Sequence, residues 1–279
     1  MAAEWHKVFN MRGFDTNAAP KWQMVPVGGN RYMALRNGAG LTVTSTDPTV
    51  LTVAEIAHAR IPAEPERLPI QPTDRVFKLS GVKLGNARVQ AKNAAALVVE
   101  LEVDTKTLKT VRVSFNFIHD SAGHKTNRVP ASSPHWVGTM NYIYREQANI
   151  RILLNHNRIV NVPKDLGTEV MWDPSPTSEW NTVTALGDFS ADLNYHLVWE
   201  YEQDATPTID DTDAGTLAGD CIFEDNAGVQ VGVTMAHELG HFLGRPDHYV
   251  AARNLELMYG ITDRRGIHLT KTDVNTMNP

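Results

Sequence analysis

The chain has a single cysteine, Cys221. No disulfide can close within it, so burial and hydrogen bonding must hold the fold. A lone thiol fits a reducing compartment without excluding export. No apolar run approaches the ~20 residues that a helix needs to cross a bilayer. No basic run with interleaved aromatics occurs, and the formal net charge is −6, so a nucleic-acid partner is not expected. The start, Met1-Ala2-Ala3-Glu4-Trp5-His6-Lys7, lacks the basic stretch and apolar core of a signal peptide. Action outside the producing cytoplasm would then need another export route, or a leader already removed. There is no internal repeat and no low-complexity tract.

What is present is an ordinary globular composition: 279 residues, 42% hydrophobic and 21% charged, enough for one large domain or two smaller ones. Residues 1 to about 20 read as a tail or an edge segment. From Met24 to Val103 short alternating runs are broken by turn residues. Examples are Arg31-Tyr32-Met33-Ala34-Leu35, Val50-Leu51-Thr52-Val53 and Ala96-Leu97-Val98-Val99-Glu100-Leu101-Glu102-Val103, with Gly28-Gly29-Asn30, Asn37-Gly38 and Leu84-Gly85-Asn86 between runs. Short strands at this spacing predict a β-sandwich. Pro62–Thr73, with four prolines, is expected to be an exposed loop within it. The run Leu41-Thr42-Val43-Thr44-Ser45-Thr46-Asp47-Pro48-Thr49-Val50-Leu51-Thr52-Val53, with Gly81–Ala91 and the Ala96–Val103 strand, resembles bacterial immunoglobulin-like domains.

Asp104-Thr105-Lys106-Thr107 reads as a junction, dividing the chain into residues 1–105 and 106–279. Beyond it the texture is mixed α/β. Val111–Ile118, Ile150–Leu154, Arg158–Val162, Tyr195–Tyr201 and Leu217–Glu224 read as strands. Pro134–Gln147 reads as a helix with Pro134 in its first turn and Trp136, Met140, Ile143 and Tyr144 on one face. A last long helix is expected over roughly Val229–Leu243. A closing helix within Ile267–Met277 has Thr270 as its candidate N-cap.

The chemistry is concentrated in Met235-Ala236-His237-Glu238-Leu239-Gly240-His241-Phe242-Leu243-Gly244-Arg245-Pro246-Asp247-His248. Residues four apart on a helix share a face one turn apart, so His237 and His241 can offer two imidazole nitrogens to one ion. Zinc suits two imidazoles and a third N or O ligand, leaving a fourth position for water. The ion lowers that water's pKa towards ~7 and polarises a carbonyl. Glu238, offset around the helix, is the candidate general base, taking the water's proton and passing it to a leaving amine. Gly244 can end the helix in a left-handed conformation and turn the chain back towards the metal. Asp247 and His248 are the candidates for the third ligand, with Asp247 favoured on spacing.

Two histidines around a glutamate arise by accident often enough to need support. His237, Glu238, His241 and Gly244, with Asp247 where a third histidine usually stands, resemble the metzincin pattern HExxHxxGxxH in its Asp-containing, snapalysin-like form. Leu255-Glu256-Leu257-Met258-Tyr259-Gly260 lies where the family's Met-turn would follow. The resemblance implies that Met258 packs beneath the metal. It also makes Tyr259 a candidate oxyanion stabiliser, although it directly follows the methionine instead of lying two residues on. It further implies an edge strand, placed at Leu217–Glu224, along which an extended polypeptide substrate pairs through its main chain.

The expectation is therefore a multidomain chain. An all-β immunoglobulin-like sandwich precedes an α+β zincin/metzincin-like domain that acts as a zinc endopeptidase. The competing reading is an adhesion or binding protein whose sandwich is functional and whose zinc site is structural or degenerate. A peptidase without a leader also fits a toxin or effector exported within a larger assembly. Asp204, Asp210, Asp211 and Asp213 are weak calcium candidates without a loop pattern. His119, His124, His135, His156 and His196 show no ligand spacing, and Cys221 reads as a buried small residue.

Overall fold

The computed structural model describes residues 2–172, 175, 178–202, 214–227, 230–261 and 266–279. The calcium candidates Asp204, Asp210, Asp211 and Asp213 lie outside them, as does Val229. The fold is mostly β-sheet with few helices, and the chain forms two compact units. The first comprises Met1–Lys109, Tyr144–Ile150 and His268–Pro279; the second comprises Thr110–Ile143 and Arg151–Ile267.

In the first unit the strands are β1 (Glu4–Lys7), β2 (Phe14–Asp15), β3 (Trp22–Pro26), β4 (Asn30–Arg36), β5 (Thr42–Ser45), β6 (Leu51–Ile56), β7 (Arg75–Gly81), β8 (Gly85–Asn93) and β9 (Ala96–Lys106). They form a four-stranded sheet, β1-β4-β7-β6, and a five-stranded sheet, β2-β3-β9-β8-β5. Trp5, Met33, Leu35, Leu51, Phe77 and Leu79 of the first sheet and Val25, Ala87, Val89, Ala91, Leu101 and Val103 of the second belong to one buried cluster. Two sheets sharing one core make a sandwich. The alternation along β8, with Ala87, Val89 and Ala91 inward, is the period-2 signal seen in the sequence. The first residues are an edge segment: β1 pairs antiparallel with β4, and Trp5 is wholly buried with its ring edge-on to Phe77. Asp104–Lys106, read as a junction, are the end of β9 and pair with β3.

The second unit contains β10 (Lys109–His119), α1 (Ser133–Ala148), β11 (Ile150–Asn161), β12 (Val170–Met171), α2 (Glu179–Thr184), β13 (Leu193–Leu197), β14 (Tyr201–Glu202), β15 (Ala214–Leu217), β16 (Asp220–Phe223) and α3 (Val231–Phe242); β10, α1 and β11 also lend residues to the first unit. Its main sheet runs β11-β10-β13-β16-β15. Strand β13 is parallel to β10 and β16, and all five of its residues are buried, as expected of a parallel strand covered on both faces. The Tyr195 ring stacks on Phe115, and its hydroxyl donates to the Met235 carbonyl of α3 at 2.6 Å. Helices α1 and α3 approach closely, since a Cβ at Gly232 would lie 2.8 Å from Thr139.

The strands differ from the sequence pattern at three places. The stretches 150–154 and 158–162 run together as one strand, β11, which ends at Asn161. Its polar centre continues the strand because Asn155 and His156 bond Asp188 and Asn157 bonds the Pro130 carbonyl. The run Tyr195–Tyr201 divides: β13 ends at Leu197, and Tyr201 opens β14, which pairs with β12. The run Leu217–Glu224 is not the edge strand. Ala218 and Gly219 both take positive φ, 53° and 93°, and make a tight hairpin turn. That turn leaves β15 at the edge and β16 inside it.

The closing helix α4 (Lys271–Met277) belongs to the first unit. Thr270 and Asp273 form a reciprocal capping box. Lys271 bonds Glu102 at 2.6 Å, and Asn275 bonds Asp104 at 2.9 Å.

After β10 the chain is clamped by Asp120. Its Oδ1 accepts the Ala122 and His124 N–H groups, at 3.0 and 2.8 Å. Its Oδ2 accepts the His124 ring and the Leu166 N–H, at 2.8 and 3.1 Å. Burial pushes this carboxyl up, but the bonds from the His124 ring, Leu166 and the His124 backbone outweigh it and hold the pKa at about 2. A depressed pKa stabilises the fold above the unfolded value and loses that contribution as pH falls through the folded one. Asp120→Asn is therefore expected to destabilise the protein most near neutral pH. The difference from wild type should shrink between pH 3.8 and about 2, as measured by urea unfolding at several pH values.

Candidate metal centre

Helix α3 buries Gly232 through Gly240 without a break. His237 and Glu238 lie within that buried stretch, where an unbonded polar group would be costly. The chain satisfies the first by a backbone contact: the His237 Nδ1 lies 2.8 Å from the Leu257 carbonyl oxygen. The His241 Nδ1 lies 2.8 Å from the Arg245 carbonyl oxygen. A carbonyl only accepts, so each Nδ1 carries the hydrogen, and in the neutral imidazole the lone pair then lies on Nε2.

The second contact depends on how the helix ends. Gly244 has φ 91°. Its N–H bonds the His241 carbonyl, and the Arg245 N–H bonds the Gly240 carbonyl, both at 2.9 Å. This is the Schellman pairing, and it favours a residue without a Cβ at the left-handed position. The turn presents the Arg245 carbonyl to His241 and carries the chain on to Asp247.

There the donor atoms converge. The two Nε2 atoms are 3.0 Å apart. Asp247 Oδ1 lies 3.0 Å from the His237 Nε2 and 3.6 Å from the His241 Nε2. Ligands at ~2.0–2.1 Å from a tetrahedral ion are separated by roughly 3.3 Å, and these separations bracket that value. Two imidazole lone pairs and a carboxylate oxygen facing one another make an electron-rich cradle, which suits a divalent cation. The donor set is compatible with a metal and does not by itself fix which one.

His248 does not join this group. Its Nε2 lies 3.1 Å from Glu256 Oε2, and Arg253 grips the same carboxylate with bonds of 2.7 and 2.6 Å. The backbone of His248 does contribute. Its N–H bonds the Met258 carbonyl and its carbonyl accepts the Gly260 N–H, both at 3.0 Å. This strap holds the Asp247 segment beside Leu257–Gly260, whose Leu257 carbonyl orients His237. Met258 is fully buried, and Tyr259 is nearly so, with its ring beside that of His248.

Glu238 is 5% exposed, and Thr216 Oγ1 of β15 donates to its Oε2 at 2.7 Å. The Cys221 thiol is wholly buried. Burial, and then the nearby Glu238 carboxylate, push its pKa well up, so it stays protonated. Tyr249 places its hydroxyl 3.4 Å from the outer oxygen of Asp247. The sequence reading missed Thr216, Tyr249 and the two carbonyls. A carbonyl that orients a histidine has no side-chain signature, and Thr216 is distant in sequence from the helix it touches.

Among the described residues a second donor group, Asp120, His124 and Asp165, also converges. Its Asp120 oxygens are already taken by the four clamp bonds, so it reads as a structural turn. His156 bonds Asp188, and His196 bonds Asp220, so neither converges with the α3 pair.

No family model and no curated protein matches the chain. Solved structures show loose likeness. Metalloproteinase-II from Bacteroides fragilis is 9% identical with a TM-score of 0.39, covering 91% of this chain and 84% of that one. A chaperone–substrate complex is 14% identical with a TM-score of 0.37, covering 72% of this chain and 37% of that one. Domains 4 and 5 of the S-layer protein SbsC are 17% identical with a TM-score of 0.21, covering 29% of this chain and 45% of that one. The match thus spans less than half of the S-layer fragment and of the chaperone complex chain. At these scores the likeness carries no weight for function, which has to be read from the residues of the site.

The helix end is directly testable. Gly244→Ala puts a Cβ at φ 91°, a strain of roughly 1–2 kcal/mol. Urea unfolding of metal-free protein should show that loss, and competition with a chelator should show weaker zinc binding. Gly244→Asn, which tolerates the left-handed region, should be milder in both.

Proposed function

We propose that this chain is a zinc-dependent endopeptidase in which His237, His241 and Asp247 hold the metal and Glu238 is the general base. The observation that carries the reading is the convergence of the two Nε2 lone pairs and Asp247 Oδ1. Each imidazole is fixed by a backbone carbonyl, and Glu238 stands next to the first ligand in the chain. Nitrogen and oxygen donors in this number suit zinc. When bound, the ion supplies Lewis acidity to a water and to the scissile carbonyl.

The protein's own groups do the rest. Glu238 receives the proton of the attacking water on a carboxylate oxygen and delivers it to the departing amine. The Leu257 and Arg245 carbonyls keep both imidazoles in the ligating tautomer. Strand β15, at the sheet edge, offers its main chain to an extended polypeptide, which binds without much demand on sequence. Asp247 is preferred over His248 as third ligand because its Oδ1 converges with both Nε2 atoms, whereas the His248 ring lies beside Glu256. The buried Met258 fits a Met-turn, and the whole 237–260 segment fits a metzincin-like catalytic domain formed by the second unit. The two-sheet sandwich fits an immunoglobulin-like module, residues 1–105.

Metal-stripped protein reconstituted with zinc should hold about one ion per chain by elemental analysis. Glu238→Gln should keep that zinc and lose cleavage of casein; cleavage persisting in this variant would sink the assignment of the base. Asp247→Ala should weaken zinc binding by about 10-fold or more in chelator competition, whereas His248→Ala should leave the stoichiometry unchanged. The reverse pattern would move the third ligand to His248.

A further inference from the structure

We propose that Thr216 is a positioning residue for Glu238, holding one oxygen of the carboxylate so that the other faces the reacting water. The inference rests on the peptidase reading of the site.

A glutamate carboxylate rotates through a broad two-fold torsion, so a base on a helix has no fixed working oxygen unless a neighbour selects one. Thr216 selects it. Its hydroxyl donates to Oε2 at 2.7 Å, within the usual range for O–H to oxygen bonds. Glu238 is 5% exposed, so water does not compete freely for that position. The hydroxyl itself is well anchored. Thr216 lies in β15 directly opposite Cys221 of β16, and opposite residues share one face of an antiparallel pair. Strand β15 packs against α3, so the face that carries the Thr216 hydroxyl is turned towards the helix that carries Glu238. The hairpin turn at Ala218-Gly219 fixes the register. With Oε2 occupied, Oε1 remains to take the proton.

The arrangement also links two parts of the reaction. The strand that carries the hydroxyl is the sheet edge along which an extended peptide would pair. A substrate seated on β15 steadies the residue that orients the base. Main-chain pairing does not need the Thr216 side chain, so its loss should act on turnover rather than on substrate affinity.

The test uses Thr216→Val, which keeps the β-branched shape and removes the hydroxyl, and Thr216→Ser, which restores a hydroxyl. For Thr216→Val, kcat on an unstructured peptide should fall about 10- to 100-fold with KM within about twofold and zinc content unchanged. Thr216→Ser should recover most of the loss. A second readout needs no turnover. In metal-free protein labelled with 13C at the glutamate side-chain carboxyls, the Glu238 resonance is assigned by its disappearance in Glu238→Gln. It should move in Thr216→Val and return in Thr216→Ser. Wild-type kcat in Thr216→Val, a resonance that does not move, or a loss that Thr216→Ser does not repair would each overturn the proposal. Failure of the peptidase reading looks different: zinc-loaded wild type would cleave nothing, and the carboxyl resonance would still decide whether Thr216 holds Glu238.

Discussion

The site depends on two hydrogen bonds from imidazole to backbone, His237 Nδ1 to the Leu257 carbonyl and His241 Nδ1 to the Arg245 carbonyl. A histidine that is free to choose its tautomer offers a lone pair from either nitrogen and points it in no fixed direction. Bonding Nδ1–H to a carbonyl settles both questions at once. The requirement then spreads outward through the chain. The Arg245 carbonyl is available only because α3 ends in a left-handed turn at Gly244. The Leu257 carbonyl is in place because His248 straps its segment to Met258 and Gly260. The same two constraints deliver Asp247 to the gap between the imidazoles.

Much of this was legible in the sequence, and the reason is geometric. The four-residue spacing of His237 and His241 has one consequence on a helix whatever surrounds it. Gly244 is legible because few other residues tolerate a left-handed φ. The capping box at Thr270 and Asp273 is legible for the same kind of reason, since donor and acceptor are three residues apart. The converging carboxylate was less legible. Asp247 and His248 are adjacent and either residue type can ligate a metal, and only the folded geometry sets Asp247 Oδ1 beside the two imidazoles. Contacts remote in sequence were not legible at all. Thr216 lies far upstream of Glu238, and Ala218-Gly219 is not a common hairpin pair, so the run 217–224 reads as one strand although it contains a turn.

The first unit illustrates the same limit at larger scale. Its sandwich follows from period-2 alternation, which each strand declares by itself. Nothing in the alternation says that the last residues of the chain return to it. That return is made by polar pairs, Lys271 with Glu102 and Asn275 with Asp104, and by Asn278 bonding the Ala148 carbonyl. Asp104 also accepts the Trp22 indole N–H at 2.7 Å. One buried carboxylate therefore serves both the sandwich and the closing helix. Buried charge is retained only where several donors offset its desolvation, and here the donors come from distant parts of the chain.

The nature of the third ligand bears on how the proposed chemistry is shared. Two neutral imidazoles and a carboxylate carry one negative charge, whereas three imidazoles carry none. A divalent ion in the first set keeps less net positive charge and polarises water less strongly. More of the work of removing a proton then falls to the base. A base that carries more of the work gains more from being correctly oriented, because proton transfer is sensitive to donor–acceptor geometry. The buried Glu238, with one oxygen held by a hydroxyl from the edge strand, fits that demand. Ligand set and base orientation are then coupled in the proposed reaction: an aspartate among the ligands would make the hydrogen bond from Thr216 to Glu238 matter more.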